Sequence, residues 1–378
     1  MNLDFSDDQK ALKEQVRRFL EAKCPPSVVR KALTSASPCD RDLYKGLAEL
    51  GVLGLAIPEA YGGVGLSHLE LCVVAEELGR ALAPVPVASS IYLGAEFILE
   101  AGSEAQKQQW LPLLASGEKI ATFAMVEGEG RMAENKVRAG VVGGRLSGVK
   151  TPVADGDVAD VAIVLARGEG RDTDALSLYI VDLNGPGVTR ETLKSIDPTR
   201  SQAKLSFENA PATLLGGEGD GWHLATQVMD RAAILMAFEQ LGGAERALYI
   251  ARDYALERMA FGRQIGSFQA IKHMLADMYV SATLARSNCY YGAWALASRS
   301  AELSVAAATA RVSATQAFQH CAKNNIQVHG GMGFTWEFDC HLYYRRSNAL
   351  ALALGSLSTW KDLLIERMRS SNADASAA

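Results

Sequence analysis

The chain has 378 residues, more than one hydrophobic core usually supports, so two or three domains or layers are expected. Hydrophobic residues make up 48% and charged residues 21%, the balance of a globular protein, and a net charge of -5 argues against nucleic acid as a partner. No run of about 18 apolar residues exists, so no membrane span is expected. The six cysteines (Cys24, Cys39, Cys72, Cys289, Cys321, Cys340) are scattered, with no Cys-x-x-Cys pair and no His at metal spacing. They read as reduced packing residues of a cytoplasmic protein with no metal site. The start of the chain lacks the basic and apolar regions of a secretory leader.

Residues 1–119 read as a helical domain. Ser6-Asp-Asp-Gln9 forms a capping box whose two aspartates suit the helix dipole. Leu12, Val16, Phe19 and Leu20 then follow amphipathic helical spacing. A helix end at Leu47–Leu50 leads into a glycine-rich loop closing at Tyr61-Gly-Gly-Val-Gly65, and Leu69–Leu82 is again helical, with the acidic pair Glu76-Glu77. Residues 120–220 change character. Val137–Val142, Val161–Ala166, Ala175–Val181 and Ala203–Phe207 are short β-branched or alternating runs separated by Gly, Asp, Asn and Pro, the pattern of a small antiparallel β domain. Residues 221–370 return to helical periodicity, near 223–259, 267–297, 301–329 and 340–369, which predicts an up-and-down four-helix bundle. The fold class is therefore α+β, and the small polar tail from Ser370 is expected to fray.

Two segments carry most of the information: Tyr254-Ala-Leu-Glu-Arg-Met-Ala-Phe-Gly-Arg-Gln-Ile-Gly-Ser-Phe-Gln269 and Gln327-Val-His-Gly-Gly-Met-Gly-Phe334. Both resemble the acyl-CoA dehydrogenase family, as do Leu50–Gly63 and Glu76-Glu-Leu-Gly79, and the helix–sheet–bundle order is that family's layout. The resemblance implies FAD as cofactor. It places Arg258, Phe261, Gln269, Gln327, Val328, His329, Gly330 and Gly331 against the flavin nucleotide of a partner subunit, so at least a dimer is implied. An Arg suits a pyrophosphate through its planar fork, a Phe offers an apolar wall, and Gly lets main-chain N–H groups approach a ligand. His329 reads as a packing or hydrogen-bonding residue rather than an acid or base. On the flavin-ring side the chain departs from the pattern. Met125-Val-Glu-Gly-Glu-Gly-Arg131 has Val126 where the family has a Thr, leaving its backbone amide for the flavin, and Pro152-Val153-Ala154 replaces Trp-Ile-Thr.

The resemblance also implies α,β-dehydrogenation of an acyl thioester, for which a carboxylate removes the Cα proton. The family's usual Glu position falls at Leu354 or Gly355, and no acid lies between Asp339 and Asp362. Its alternative position falls at Ala232. Glu239 stands about 700° further along the same helix, on the same face, among apolar sequence neighbours that would desolvate its carboxylate. Glu239 is the expected base, as the resemblance to steroid-degrading members suggests. Glu127 and Glu129 read as ligand-positioning residues, and Glu337 as a turn residue. Gly242 and Gly243 signal close packing beside Glu239.

The expectation is thus an FAD-dependent acyl-CoA dehydrogenase of lipid or steroid catabolism that passes electrons to an electron-transfer flavoprotein. Its acyl-CoA substrate would carry a bulky group such as a steroid side chain, and its assembly would be a homo- or hetero-oligomer, a dimer of dimers. The alternative is a non-catalytic subunit that scaffolds FAD in a heteromeric dehydrogenase, with Glu239 structural.

Overall fold

Capping and periodicity place the first helix where the sequence does. In the computed structural model, which describes residues 5–35, 39–168 and 175–377, α1 (Asp7–Lys23) starts at a reciprocal capping box between Ser6 and Gln9 and buries Val16 and Leu20. Residues 1–4, on which the absence of a leader partly rests, lie outside the described residues. There follow α2 (Pro26–Thr34), α3 (Arg41–Glu49), α4 (His68–Ala81), a π-helical stretch Ala88–Ala95 running into α5 (Glu96–Ala101), and α6 (Glu104–Ala115). Eight strands come next: β1 (Ala121–Ala124), β2 (Gly140–Val142), β3 (Arg145–Ala154), β4 (Val161–Arg167), β5 (Leu176–Asp182), β6 (Val188–Leu193), β7 (Gln202–Pro211) and β8 (Thr213–Leu215). The 37-residue α7 (Gly221–Glu257) leads through the hairpin β9 (Met259–Ala260) and β10 (Arg263–Gln264) into α8 (Gln269–Ala297), α9 (Leu303–His329), α10 (Cys340–Leu352) and α11 (Leu357–Ala377).

The chain divides into two units: Met1–Lys31, His68–Ala83 and Ala233–Ala378 form one, and Ala32–Ser67 with Pro84–Ala232 the other. The N-terminal helices are therefore shared out. α1 and α4 join the later helices, whereas α3, α5 and α6 pack with the sheet. Among the described residues no helix is long and apolar enough to cross a membrane.

In the sheet unit the strand order is β6-β7-β3-β2-β4-β5-β8, with β1 also paired to β4. The sheet is mixed rather than purely antiparallel, because β1 and β2 both run parallel to β4. The chain leaves β1, makes the β2–β3 hairpin, and returns to β4 in the direction of β1. β4 and β5 bury nearly every side chain, as their continuous apolar runs require, while β6 and β7 alternate. β3 accommodates Gly148 and Pro152 through register shifts at Leu146/Gly148 and Lys150/Val153.

In the helical unit the expected fourth long helix is two. Leu354 and Gly355 take φ of 60° and 104°, which ends the run after α10, and α11 restarts at Leu357. The backbone of α11 stays helical to Ala377, through the tail expected to fray. The decisive contact is the crossing of α4 and α7. A Cβ on Gly79 would lie 1.8 Å from the Glu239 carbonyl oxygen, and one on Gly242 would lie 1.8 Å from that of Glu76. Gly243 does the same against the Phe318 ring, at 2.4 Å. Each glycine costs a helix roughly 1 kcal/mol relative to Ala, and close backbone approach offsets that.

Gly79→Ala is accordingly expected to push the two helices apart and lower stability by about 1–3 kcal/mol. Urea denaturation of the purified chain measures this. An unchanged midpoint would show that the crossing is loose.

Candidate functional site

The turn after α7 departs from ordinary packing. Ala260 pairs with Arg263, which leaves Phe261-Gly262 as a two-residue loop with φ of 51° and 78°, the positive values a type I′ turn needs. Gly262 tolerates this freely, but a left-handed phenylalanine costs roughly 1–2 kcal/mol. The same side chain is 95% exposed. Its ring makes only an edge contact with Phe268, centroids 6.1 Å apart, and Arg263 lies over Phe268 at 4.1 Å. Arg258 is exposed just before the hairpin, and among the described residues no carboxylate pairs with it. Gln269, also exposed, is the first residue of α8.

The second segment joins the first through a stacked pair. The His329 ring lies on Tyr254 at 4.0 Å and 19°, and Phe338 closes on both edge-on. His329 Nδ1 is 2.8 Å from the Asn325 carbonyl, an acceptor, so Nδ1 carries the proton. Burial holds the ring's pKa below its ordinary value. His329 is thus a packing and hydrogen-bonding residue, as is the buried Val328. Gln327 is exposed. Gly330 ends α9 at φ 59° and ψ -138°, its N–H bonded to the Gln327 carbonyl, and a Cβ on Gly330 or Gly331 would meet nothing within 4 Å. An unpaired guanidinium, an exposed aromatic ring and an open glycine backbone thus occupy the ends of α7 and α9. That donor set fits a dinucleotide: a cation for its diphosphate, main-chain amides for polar atoms, a ring for its planar parts.

Val126 belongs to the sheet unit. Its carbonyl accepts from Thr151 N at 2.8 Å, and Gly128 N returns to the Thr151 carbonyl at 2.9 Å, so the loop is tied to β3. Pro152 and Ala154 are exposed on that strand, while Val153 is buried. The Glu127 carboxylate is engaged within the sheet unit. It holds Lys150 Nζ at 2.6 Å and accepts from the backbone N–H groups of Arg138 and Ala139. Lys150 is wholly buried and also donates to the Met125 and Leu165 carbonyls, at 3.2 and 2.5 Å. Nothing in the local sequence distinguishes it from an outward lysine except its phase on β3.

Glu239 is fully buried, but its surroundings are not apolar as expected. Arg346 Nη1 of α10 lies 3.6 Å away, and the charge of Glu239 also acts on Arg311 of α9, whose pKa burial pulls down to about 9 against the raising effect of Glu239. Arg311 bonds the Gln240 side chain at 2.5 Å and the carbonyls of Leu350 and Ala353. Arg346 Nη2 bonds the Leu82 carbonyl at 3.1 Å. Both arginines lie far from Glu239 in sequence, which is why neighbouring residues did not reveal them. Leu354 packs on Ala233, Ala308 and Trp360, and its carbonyl accepts from the Trp360 indole at 3.0 Å. Glu129 and Glu337 are exposed.

The chain matches the family models of the acyl-CoA dehydrogenase N-terminal domain over residues 6–118 and C-terminal domain over residues 219–368. It is 32% identical over 355 residues to the acyl-CoA dehydrogenase IpdE2 of Mycobacterium tuberculosis, covering 93% of this chain and 94% of that protein. Among solved structures, it resembles a chain of the ChsE4–ChsE5 complex from Mycobacterium tuberculosis, with a TM-score of 0.88 at 28% identity, over 98% and 99% of the two chains. It also resembles a variant of the Tcur3481–Tcur3483 steroid ACAD, with a TM-score of 0.87 at 29% identity, over 97% and 99%.

The His329 geometry sets a pH dependence. The unfolded ring titrates near 6.5 and the folded ring lower. The stability of the neutral stack is therefore present above pH 6.5 and lost as pH falls towards the folded value. His329→Phe keeps a stacked ring and removes the titration, so its Tm should decline less than that of the natural chain below pH 6.5. Parallel declines would assign the loss to other groups.

Proposed function

The chain belongs to the acyl-CoA dehydrogenase family, oxidoreductases acting on the CH–CH bond of acyl-CoA thioesters, and on that premise we propose that it performs FAD-dependent α,β-dehydrogenation of a bulky acyl-CoA. Electrons would pass on to an electron-transfer flavoprotein. When bound, FAD supplies the acceptor for the hydride that leaves Cβ. The observation that carries the reading is Phe261, an aromatic side chain both strained and 95% exposed beside Arg258. Burial gives no reason for such a residue, whereas contact with a cofactor does. Arg258 would hold the diphosphate, and the uncovered main chain at Gly330 and Gly331, with Gln269 and Gln327, would approach its polar atoms. Val126 would present main chain rather than a hydroxyl. The small exposed side chains of Pro152 and Ala154 leave that face of the sheet unobstructed, which supports a bulky acyl group, as does the steroid designation of one structural relative. Glu239 would take the Cα proton.

A second reading is favoured by the position of Glu239 between Arg346 and Arg311. There its carboxylate is the counter-charge of two buried cations, and the chain is a subunit that scaffolds FAD without supplying the base. The ChsE4–ChsE5 complex among the relatives shows that a protein of this fold can pair with a different chain.

Two experiments test these readings, the first their shared cofactor assignment and the second the role of Glu239. In the first, the absorption spectrum and solution mass of the chain purified alone give its flavin content. Phe261→Ser is expected to weaken flavin retention about threefold to tenfold without lowering the Tm of the apoprotein, and unchanged retention sinks the cofactor assignment. In the second, Glu239→Gln should reduce turnover by about 10²–10⁴-fold with flavin content and fold intact, if Glu239 is the base. If Glu239 is the counter-ion, Glu239→Leu should instead cost about 3–5 kcal/mol of stability, and adding Arg346→Leu should restore much of it.

A further inference from the structure

Within the helical unit, α1, the Pro25–Pro26 elbow, α4, α7 and the start of α10 line a half-open cavity of about 330 Å³. Its walls are mainly apolar, with Leu20, Val29, Leu82, Ile250, Phe338 and Leu342 contributing. Charged side chains also reach it, and most neutralise one another. Arg17 forks onto Glu77 at 2.9 and 2.7 Å. Arg80 meets Glu21 at 3.3 Å and Glu77 at 3.6 Å, and Asp339 is held by Arg30 at 2.7 Å.

Arg246 is the exception. It lines the cavity from α7, and among the described residues no carboxylate lies within ion-pair distance of it. Its guanidinium meets the Tyr343 hydroxyl, whose own proton goes to the Arg80 carbonyl at 3.0 Å. Four of the five guanidinium N–H groups thus have no partner in this contact. The acid left over, Glu337, is an exposed residue at the rim. An apolar chamber with one planar cation outside any ion pair suits an anionic head group on an apolar tail. A carboxylate fits the fork, and the space, about eleven water volumes, accommodates a chain of around eight carbons.

We propose that this cavity binds a small monocarboxylic acid with an apolar tail, its carboxylate on Arg246 and its tail along Leu20, Ile250 and Leu342. The site is independent of the dehydrogenase reading, because none of its residues belongs to the turns assigned to the cofactor.

Octanoate serves as the probe, with octanol and octylammonium as controls, in titration calorimetry of the full chain. Saturable octanoate binding is expected, weakened at least tenfold by Arg246→Met, while octylammonium does not bind. Ile250→Trp fills the chamber and should abolish binding, and it carries the test if Arg246→Met does not fold. On the natural chain, a diazirine-bearing octanoate should label residues 20–29, 246–250 and 338–343. Absence of saturable binding, an affinity unmoved by both substitutions, equal binding of octylammonium, or labelling confined to other segments would each overturn the proposal.

Discussion

The helical unit depends on one contact, the crossing of α4 over α7 with no side chain between them. Helices normally pack 8–10 Å apart, separated by their side chains. Here Gly79 faces the Glu239 backbone and Gly242 faces that of Glu76, at distances that exclude even a methyl group. The crossing brings acidic residues into the interior, and long basic side chains from other helices answer them. Glu76 meets Lys13 of α1 and Arg286 of α8, each at 2.7 Å, Glu77 meets Arg17, and Glu239 meets Arg346 of α10. Buried pairs of this kind add little net stability against a hydrophobic alternative, yet removing one partner is severe. The pairs thus penalise any other register of α1, α8 and α10 around the glycine seam.

That fixed register is what a site made of backbone requires. Few of the residues assigned to the cofactor act through a long reactive side chain. Gly330 and Gly331 would act by having none, and His329 through the stack that ties the end of α9 to Tyr254 of α7. Phe261 is the converse, an apolar ring kept in a left-handed turn where solvent surrounds it. A turn that stores strain and exposes its aromatic ring gains nothing from folding alone, which supports the contact proposed for it.

The sequence read best where a rule is local. The Ser6 capping box, the α7–α9 spans to within a few residues, and the close approach at Gly242 all follow from adjacent residues. It read worst where partners are distant. Lys150 is a buried cation because Glu127 and two carbonyls converge on it, and Glu239 has arginines from α9 and α10 as neighbours. The break between α10 and α11 was hidden because the apolar run Leu350-Ala-Leu-Ala-Leu354 continues a helical pattern across a position where Leu354 turns left-handed. The split of the N-terminal helices between two units is likewise a property of tertiary contacts, which chain order does not carry.

The two roles open to Glu239 make opposite demands on Arg346. A proton acceptor works when little but desolvation opposes its charge, since then gaining a proton relieves a penalty. A carboxylate beside a guanidinium loses Coulomb attraction when it takes a proton, and a second guanidinium within range increases that loss. Arg346 is anchored by the Leu82 carbonyl and Arg311 by two carbonyls at the end of α10, so neither moves without breaking buried hydrogen bonds. In this arrangement the Glu239 carboxylate has Arg346 at 3.6 Å and acts on the charge of Arg311. A catalytic Glu239 would thus need Arg346, held by the Leu82 carbonyl, to share its carboxylate with the substrate, whereas a counter-ion would keep the pair as it stands.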